Sequence, residues 1–359
     1  MKRLLLILTA LCALCAARAQ EHGRTNDKLI VGVEFETFFD NREYAGMGGF
    51  DESQTFFAAQ LSPKIGWQWN DRNRIVFGAE LEKNFGDHDR FFSEAQPLMY
   101  YRFLSERVKA MAGVFERSEL RLDAYPLAMM SDEMRFYENR IHGLLGRYTS
   151  VRRPGSFVEL SFDWCGLRGE TSREKFRLMS AGRFAADWFR MGYAVSMFHF
   201  SVSDAGGGVS DNLMAYPYVG ARFNAFLDFD IEFGAIVAPQ RIREMKAGWK
   251  SPAGAQLTVG LSKWGVLLEN TLYCGDGLMP YYGLYGSEFY AGERMWATTE
   301  GVYNRTRLGY RRSFFGDTME VEAFVLVHYD GVAAGTSQQI KLRVDLEKAF
   351  GFGRKHRGR

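Results

Sequence analysis

The chain has 359 residues, of which 25% are charged and 15% aromatic, with 38 Gly and only 8 Pro. Its formal charge of +2 becomes −1 without Lys2, Arg3 and Arg18, and −5 when Arg354, Lys355, Arg357 and Arg359 are also set aside. This excludes a basic nucleic-acid-binding body, and no apolar run beyond the first nineteen residues approaches the roughly 18 that a spanning helix needs.

The N-terminus reads as an export signal. Met1-Lys2-Arg3 is a basic head, Leu4 to Ala16 an apolar run, and Ala17-Arg18-Ala19 a small-x-small cleavage pattern. Leu11 and Leu14 precede Cys12 and Cys15, so the small residue expected before a lipid-anchored cysteine is missing. The expected organisation is a signal peptide at 1–19, one β-barrel at 20–353 and a solvated basic tail at 354–359. Cys165 and Cys274 lie far apart and outside any CxxC or Cys/His cluster, which argues against a disulfide framework or structural zinc.

Along the mature chain the dominant signal is period-2 alternation. Sixteen strands are predicted, at 28–39, 54–69, 74–85, 96–104, 108–117, 139–149, 156–166, 175–186, 191–203, 212–223, 227–238, 254–263, 265–274, 295–310, 319–330 and 336–350. In the second, Phe57, Ala59, Leu61, Ile65, Trp67 and Trp69 oppose Gln60, Ser62, Lys64 and Gln68. In the last, Ile340, Leu342, Val344 and Leu346 alternate with Lys341, Arg343, Asp345 and Glu347. Each ribbon therefore meets two different solvents. The patterned runs exceed the 5 to 6 residues usual for soluble strands and match the roughly 9 to 11 of a tilted membrane-crossing strand. Connections alternate between tight turns, such as Asn70 to Asn73, and long segments at 40–53, 118–138, 239–253 and 275–294. Short turns on one side and long loops on the other are what membrane barrels show.

This pattern resembles the bacterial outer-membrane porin-like barrels over nearly the whole mature chain. The fold class expected is all-β, a transmembrane antiparallel up-and-down barrel of about sixteen strands in the outer membrane. Trp67, Trp69, Trp164, Phe350 and Phe352 suit the interfacial girdles. The resemblance implies passive diffusion of small polar solutes, sugars among them, through a charged lumen. No nucleotide-binding glycine loop or energy-coupling box is recognisable and no second ligand stands at metal spacing from His142 or His328, so no cofactor and no metal are expected; the partners expected are outer-membrane lipid, small polar solutes and a second copy of the chain.

By strand parity the pore-lining residues expected are Glu34, Glu80, Glu82, Arg102, Glu159, Asp163, Lys175, Arg177, Arg183, Arg222, Asp228, Asp230, Glu232, Glu320, Glu322, Lys341 and Arg343. Acids gather near 230 and bases on the strand of Lys175, Arg177 and Arg183, which would set a transverse field across a water-filled pore. The 118–138 connection is the candidate constriction, with Asp123, Asp132, Glu133 and Glu138 on one side and Leu127, Met129, Met130 and Met134 on the other.

A hydrolytic alternative rests on His199-Phe200-Ser201, which is similar to the His-x-Ser spacing of outer-membrane phospholipases and lipid A deacylases. In those enzymes the pair faces lipid, with a polar orienter beside the histidine. Here Ala194, Phe198, Phe200 and Val202 are the more apolar alternate set, which turns His199 and Ser201 into the lumen. The expectation is therefore no enzyme. A non-conducting adhesin or scaffold barrel is the third reading, and His142 and His328 are read as structural or lumen-wall histidines.

Overall fold

The computed structural model describes residues 27–48, 50–204 and 208–351. The proposed leader, Phe352 and the basic tail lie outside the described residues. One antiparallel sheet contains β1 (Lys28–Glu43), β2 (Gln54–Trp69), β3 (Asn73–Asn84), β4 (Glu94–Leu104), β5 (Val108–Glu116), β6 (Arg140–Thr149), β7 (Phe157–Gly166), β8 (Lys175–Ala186) and β9 (Phe189–Phe200). It continues through β10 (Ser210–Asn224), β11 (Asp228–Val237), β12 (Gln240–Ile242), β13 (Ala253–Lys263), β14 (Val266–Gly275), β15 (Gly301–Phe314), β16 (Met319–Tyr329) and β17 (Ala334–Gly351).

β1 pairs with both β2 and β17, the latter from Lys28↔Gly351 through Glu43↔Thr336, so the sheet closes and has no free edge. β11 and β12 both pair with β10 and are separated only by Ala238-Pro239. Pro239 has no N–H to give the ladder, so the two short pieces share one wall position. The result is the sixteen-stranded closed barrel expected from the alternation.

The tight turns come from local backbone chemistry. Asn70 and Asp71 sit at φ 56° and 52° between β2 and β3, the paired left-handed conformation that a two-residue hairpin demands and that Asn and Asp tolerate. Seven short turns and both ends of the sheet mark one rim, and the long connections mark the other. By the usual orientation of such barrels the short-turn rim is periplasmic. Outward rows such as Val31, Val33, Ile65, Phe77, Leu144, Leu160, Val325 and Leu346 are exposed, as an apolar belt facing lipid must be.

One predicted strand starts late. The 295–300 stretch is not wall, because Arg294–Thr298 is a short helix whose Met295, Trp296 and Ala297 are buried inside the barrel. Its apolar residues face protein rather than lipid, and sequence pattern alone does not separate those two apolar surroundings.

Candidate functional site

The interior is filled on the long-loop side. The segment between β5 and β6 folds inward, burying Tyr125, Ala128, Met129, Met130 and Met134. Its helix Asp132–Tyr137 is started by Ser131, whose hydroxyl accepts from the Met134 amide at 3.0 Å. The segment between β14 and β15 folds beside it, burying Leu278, Met279, Phe289, Tyr290, Met295 and Trp296. The two segments are stitched together: Ser131 N donates to Ala291 O at 2.9 Å and Glu293 N to Leu127 O at 2.8 Å.

Wall side chains hold this double plug. Asp132 lies 3.3 Å from Lys341 and 3.8 Å from Arg305, and Glu133 lies 3.0 Å from Arg42. Burial works against the Asp132 carboxylate, but Lys341, Arg135, Arg307 and Arg305 outweigh it and hold its pKa far below the ordinary range. Gln60 donates to Phe136 O at 2.8 Å, Gln240 to Leu278 O at 2.7 Å, and the Trp296 indole to Gln256 at 3.2 Å. His328 is buried between the hydroxyls of Tyr303, at 2.7 Å, and Tyr44, at 3.3 Å.

The charged residues expected along the lumen occupy the inward parity of their strands, and most of them are engaged by other side chains of the wall or of the inward-folded segments. Lys64 bridges Glu34 and Glu116, Arg140 holds Glu80, Arg117 lies 2.8 Å from Asp163, and Arg147 lies 3.5 Å from Glu159. Gln60 donates to Glu82, and Arg343 lies 3.9 Å from Glu34. Arg222 and Arg190 both pair with Asp230, Arg190 also with Glu232, and Arg307 and Arg311 with Glu322. Arg311 also lies 3.7 Å from Glu320, and Asn224 donates to Asp228. Arg177 lies under Phe198 and Met134, and Lys175 reaches towards Glu288 at 3.8 Å. Arg102 is inward on β4, opposite Arg74 of β3. The acids near 230 are paired locally with Arg190 and Arg222, while Arg183 pairs with Asp123 and Lys175 reaches Glu288. A cavity of about 750 Å³ remains on the short-turn side, bordered by Asp123, Arg183, Arg190, Arg222, Asp230 and Glu232.

Arg183 also tethers the plug, its Nη1 donating to Asp123 at 2.8 Å. Burial would raise the Asp123 pKa, but hydrogen bonds from Arg121 and Arg183 prevail and bring it from 3.8 to about 2. A depressed carboxylate contributes stability above its free pKa and loses it as the pH falls through the folded value. The plug should accordingly be equally protected from hydrogen exchange at pH 7 and pH 4.5, with amides around 121–130 loosening only towards pH 2. Loosening already at pH 5 would contradict the tether.

On the outer wall the strand register assembles a second, different cluster. Trp164 of β7 is the cross-strand partner of Phe176, Phe176 of His199, His199 of Asp211, and Asp211 of Arg241. Within two residues of the long-loop ends of β8, β9 and β10, an aromatic–His–Asp–Arg row thus runs across the barrel.

This corrects the expected orientation of His199. Ala194, Phe198 and Phe200 are buried while Met191, Tyr193 and Val195 are exposed, so on β9 the odd positions face outward. The even positions are apolar because they meet the plug: Phe200 packs on Tyr285 at 5.2 Å and on Phe289 at 5.8 Å. His199 stacks on Phe176 with centroids 4.7 Å apart and planes 23° apart, and Phe176 stacks in turn on Trp164 at 6.0 Å and 20°. His142 is also outward and exposed, beside Leu144, rather than on the lumen wall.

Asp211 is held by its neighbours. Its carboxylate accepts from Arg241 Nε at 2.7 Å and from Arg243 Nη2 at 2.7 Å and Nε at 3.0 Å, with Arg241 lying 4.6 Å over Trp249. Beyond β9 the ladder carries on through Ser201, whose N–H donates to Glu174 O at 2.9 Å and whose carbonyl accepts from Arg173 at 3.0 Å. The backbone of the serine is fixed two residues past the histidine. Sequence reading found His199 and Ser201 by their spacing but missed Asp211, Arg241 and Arg243, which only the pairing of β9, β10 and β12 brings alongside.

A closed barrel with an apolar belt, a filled interior and an outward His–Asp row at its long-loop rim belongs to the outer-membrane type of β-barrel. Residues 19–354 match the family described as Lipid A 3'-O-deacylase-type, and the chain belongs to that family. The expectation of no enzyme is thereby overturned, since the family is one of enzymes. Among solved structures the chain is similar to engineered variants of the Rhodopseudomonas blastica porin. One matches at 12% identity and TM-score 0.48, another at 13% and 0.46, each over 89% of this chain and 100% of the porin. A protein engineered for asymmetric conductivity is similar at 13% identity and TM-score 0.47, over 89% of this chain and all of its own. None of the curated proteins matches.

Proposed function

We propose that the protein is an ester hydrolase of the outer leaflet, removing an acyl chain from lipid A. The observation that carries this reading is the outward row Phe176–His199–Asp211–Arg241, with Ser201 one residue past the end of β9. Substrate dissolved in the membrane reaches the outside of a barrel, not its lumen, so a catalytic pair has to face lipid to meet it. The long-loop rim is also where the sugar ester of an outer-leaflet lipid lies.

In this reading the Ser201 hydroxyl attacks the acyl carbonyl carbon while His199 takes its proton, then returns it to the departing sugar hydroxyl. Water, deprotonated by His199, releases the fatty acid and restores the serine. Asp211 is a positioning residue: directly opposed side chains on adjacent strands have Cβ atoms about 4.5 to 5.5 Å apart, close enough to favour one imidazole orientation. Arg241 and Arg243 fix Asp211 and add positive charge at the rim.

Asp211→Asn should lower kcat by roughly 10-fold to 10⁴-fold, the upper figure belonging to a fully buried carboxylate, with KM little changed. The assay is fatty-acid release from lipid A by the folded barrel in detergent. Unchanged turnover in both Asp211→Asn and His199→Gln would remove this site from the chemistry.

A second reading, passage of small polar solutes, is favoured by the charged cavity on the short-turn side. Its test is conductance in a planar bilayer, where discrete steps from the intact chain support it.

A further inference from the structure

The outer wall carries an unassigned groove at the opposite end of β9 from His199. Across β6 to β10 it opens to about 530 Å³ and is bordered by Tyr148, Val158, Gly182, Phe184, Met191 and Val219. Tyr148, Val158, Phe184, Met191 and Val219 are exposed on the outward parity, so the groove lies in the apolar belt. Gly182 deepens it: a Cβ there would come within 2.6 Å of the Tyr193 ring.

The short-turn end of the groove is basic. The turn between β6 and β7 reads Ser150-Val151-Arg152-Arg153-Pro154-Gly155-Ser156, with two cations and no acid. The Arg153 guanidinium lies 4.7 Å over the Phe184 ring, which places it at the groove's rim. The turn is fixed there, because the Arg153 amide donates to Ser150 Oγ at 3.1 Å and Ser156 Oγ exchanges hydrogen bonds with the Ala185 backbone at 2.9 and 3.3 Å. Gly155, at φ 87°, brings the turn close against β8, where a Cβ would be 3.3 Å from that of Ala185.

We propose that this groove binds an anionic glycerophospholipid of the periplasmic leaflet, one acyl chain in the apolar channel and the phosphate at Arg152 and Arg153. An apolar trough within the hydrocarbon belt that ends at a turn with two cations and no acid of its own matches an amphiphile with a negative head on that side. A lipid whose head lies at the long-loop rim is the wrong way round for it. Two arginines at a membrane surface contribute about a fivefold affinity each. The site is independent of the His199 chemistry.

The test uses the full folded barrel in phosphatidylcholine vesicles containing a few per cent of phosphatidylglycerol with a photoactivatable acyl chain, and maps the labelled peptides by mass spectrometry. Label should concentrate on the peptides of Phe184 and Met191. It should fall about 25-fold in Arg152→Gln/Arg153→Gln, about fivefold for each arginine removed, and it should fall in Met191→Trp, which fills the channel. Each variant is first checked for the heat-resistant mobility of a folded barrel. Even labelling around the belt, equal labelling by a zwitterionic probe, or a double glutamine variant that labels like the parent would overturn the proposal. So would chain-to-chain crosslinks at this face in place of lipid, which would assign it to a second copy.

Discussion

Ser201→Ala is expected to reduce fatty-acid release from lipid A by about 10³-fold or more, while the variant folds and inserts like the parent. A serine nucleophile has no substitute within the row, and loss of a nucleophile typically leaves only the residual acceleration of binding and polarisation. Folding should be unaffected because the structural bonds at this position are to the Ser201 backbone, from its N–H to Glu174 and from Arg173 to its carbonyl. His199→Gln should be equally inactive, and the double variant no worse than either single one, since the two groups act as one unit. The stacking of His199 on Phe176 supplies a separate control: Phe176→Leu should weaken turnover without abolishing it, by freeing the imidazole to rotate. Mass spectrometry of the lipid product after incubation with each purified variant decides the matter. Full activity in Ser201→Ala would exclude the serine mechanism while leaving the barrel fold untouched.

The wall was legible in the sequence because each strand separates oil from water and the chain records that difference every second residue. Ile340 to Leu346 and Phe57 to Trp69 lie outward as their alternation implies, and the turn at Asn70-Asp71 falls where two left-handed residues were available. Legibility failed where the interior stopped being aqueous. On β9 the even residues Ala194, Phe198 and Phe200 looked like the lipid face because they are apolar, but what they touch is the plug, through Tyr285 and Phe289. The same substitution of protein for lipid explains why Met295 to Ala297 resembled wall. The candidate cluster was half legible: a His-x-Ser spacing is local, whereas Asp211 and Arg241 join it through register across β9, β10 and β12.

The plug accounts for a second large effect. Replacing both inward segments, about 118–138 and 277–299, with short Gly-Ser linkers should give larger stepwise currents in a planar bilayer than the intact chain carries. The closure is geometrically undemanding: Glu116 and Arg140 are cross-strand partners, as are Gly275 and Gly301, so each pair of ends already lies side by side. The wall keeps its full set of pairings from β1 to β17, and the inward face that the plug uncovers carries Asn212, Gln240, Gln256, Arg305 and Lys341, groups that water can solvate. Removing only one segment should have a smaller effect, since the Ser131–Ala291 and Leu127–Glu293 bonds show that each segment also leans on the other. Trp296→Ala is the intermediate case. It removes a fully buried indole that is bonded to Gln256 and packed edge-on against Tyr303 at 4.6 Å, a change that costs about 3 to 5 kcal/mol in a packed core. Because that cost falls on the plug and not on the closed wall, Trp296→Ala should flicker between silent and open levels. A double-linker variant that folds but stays silent would show that the lumen is blocked by the wall's own side chains instead.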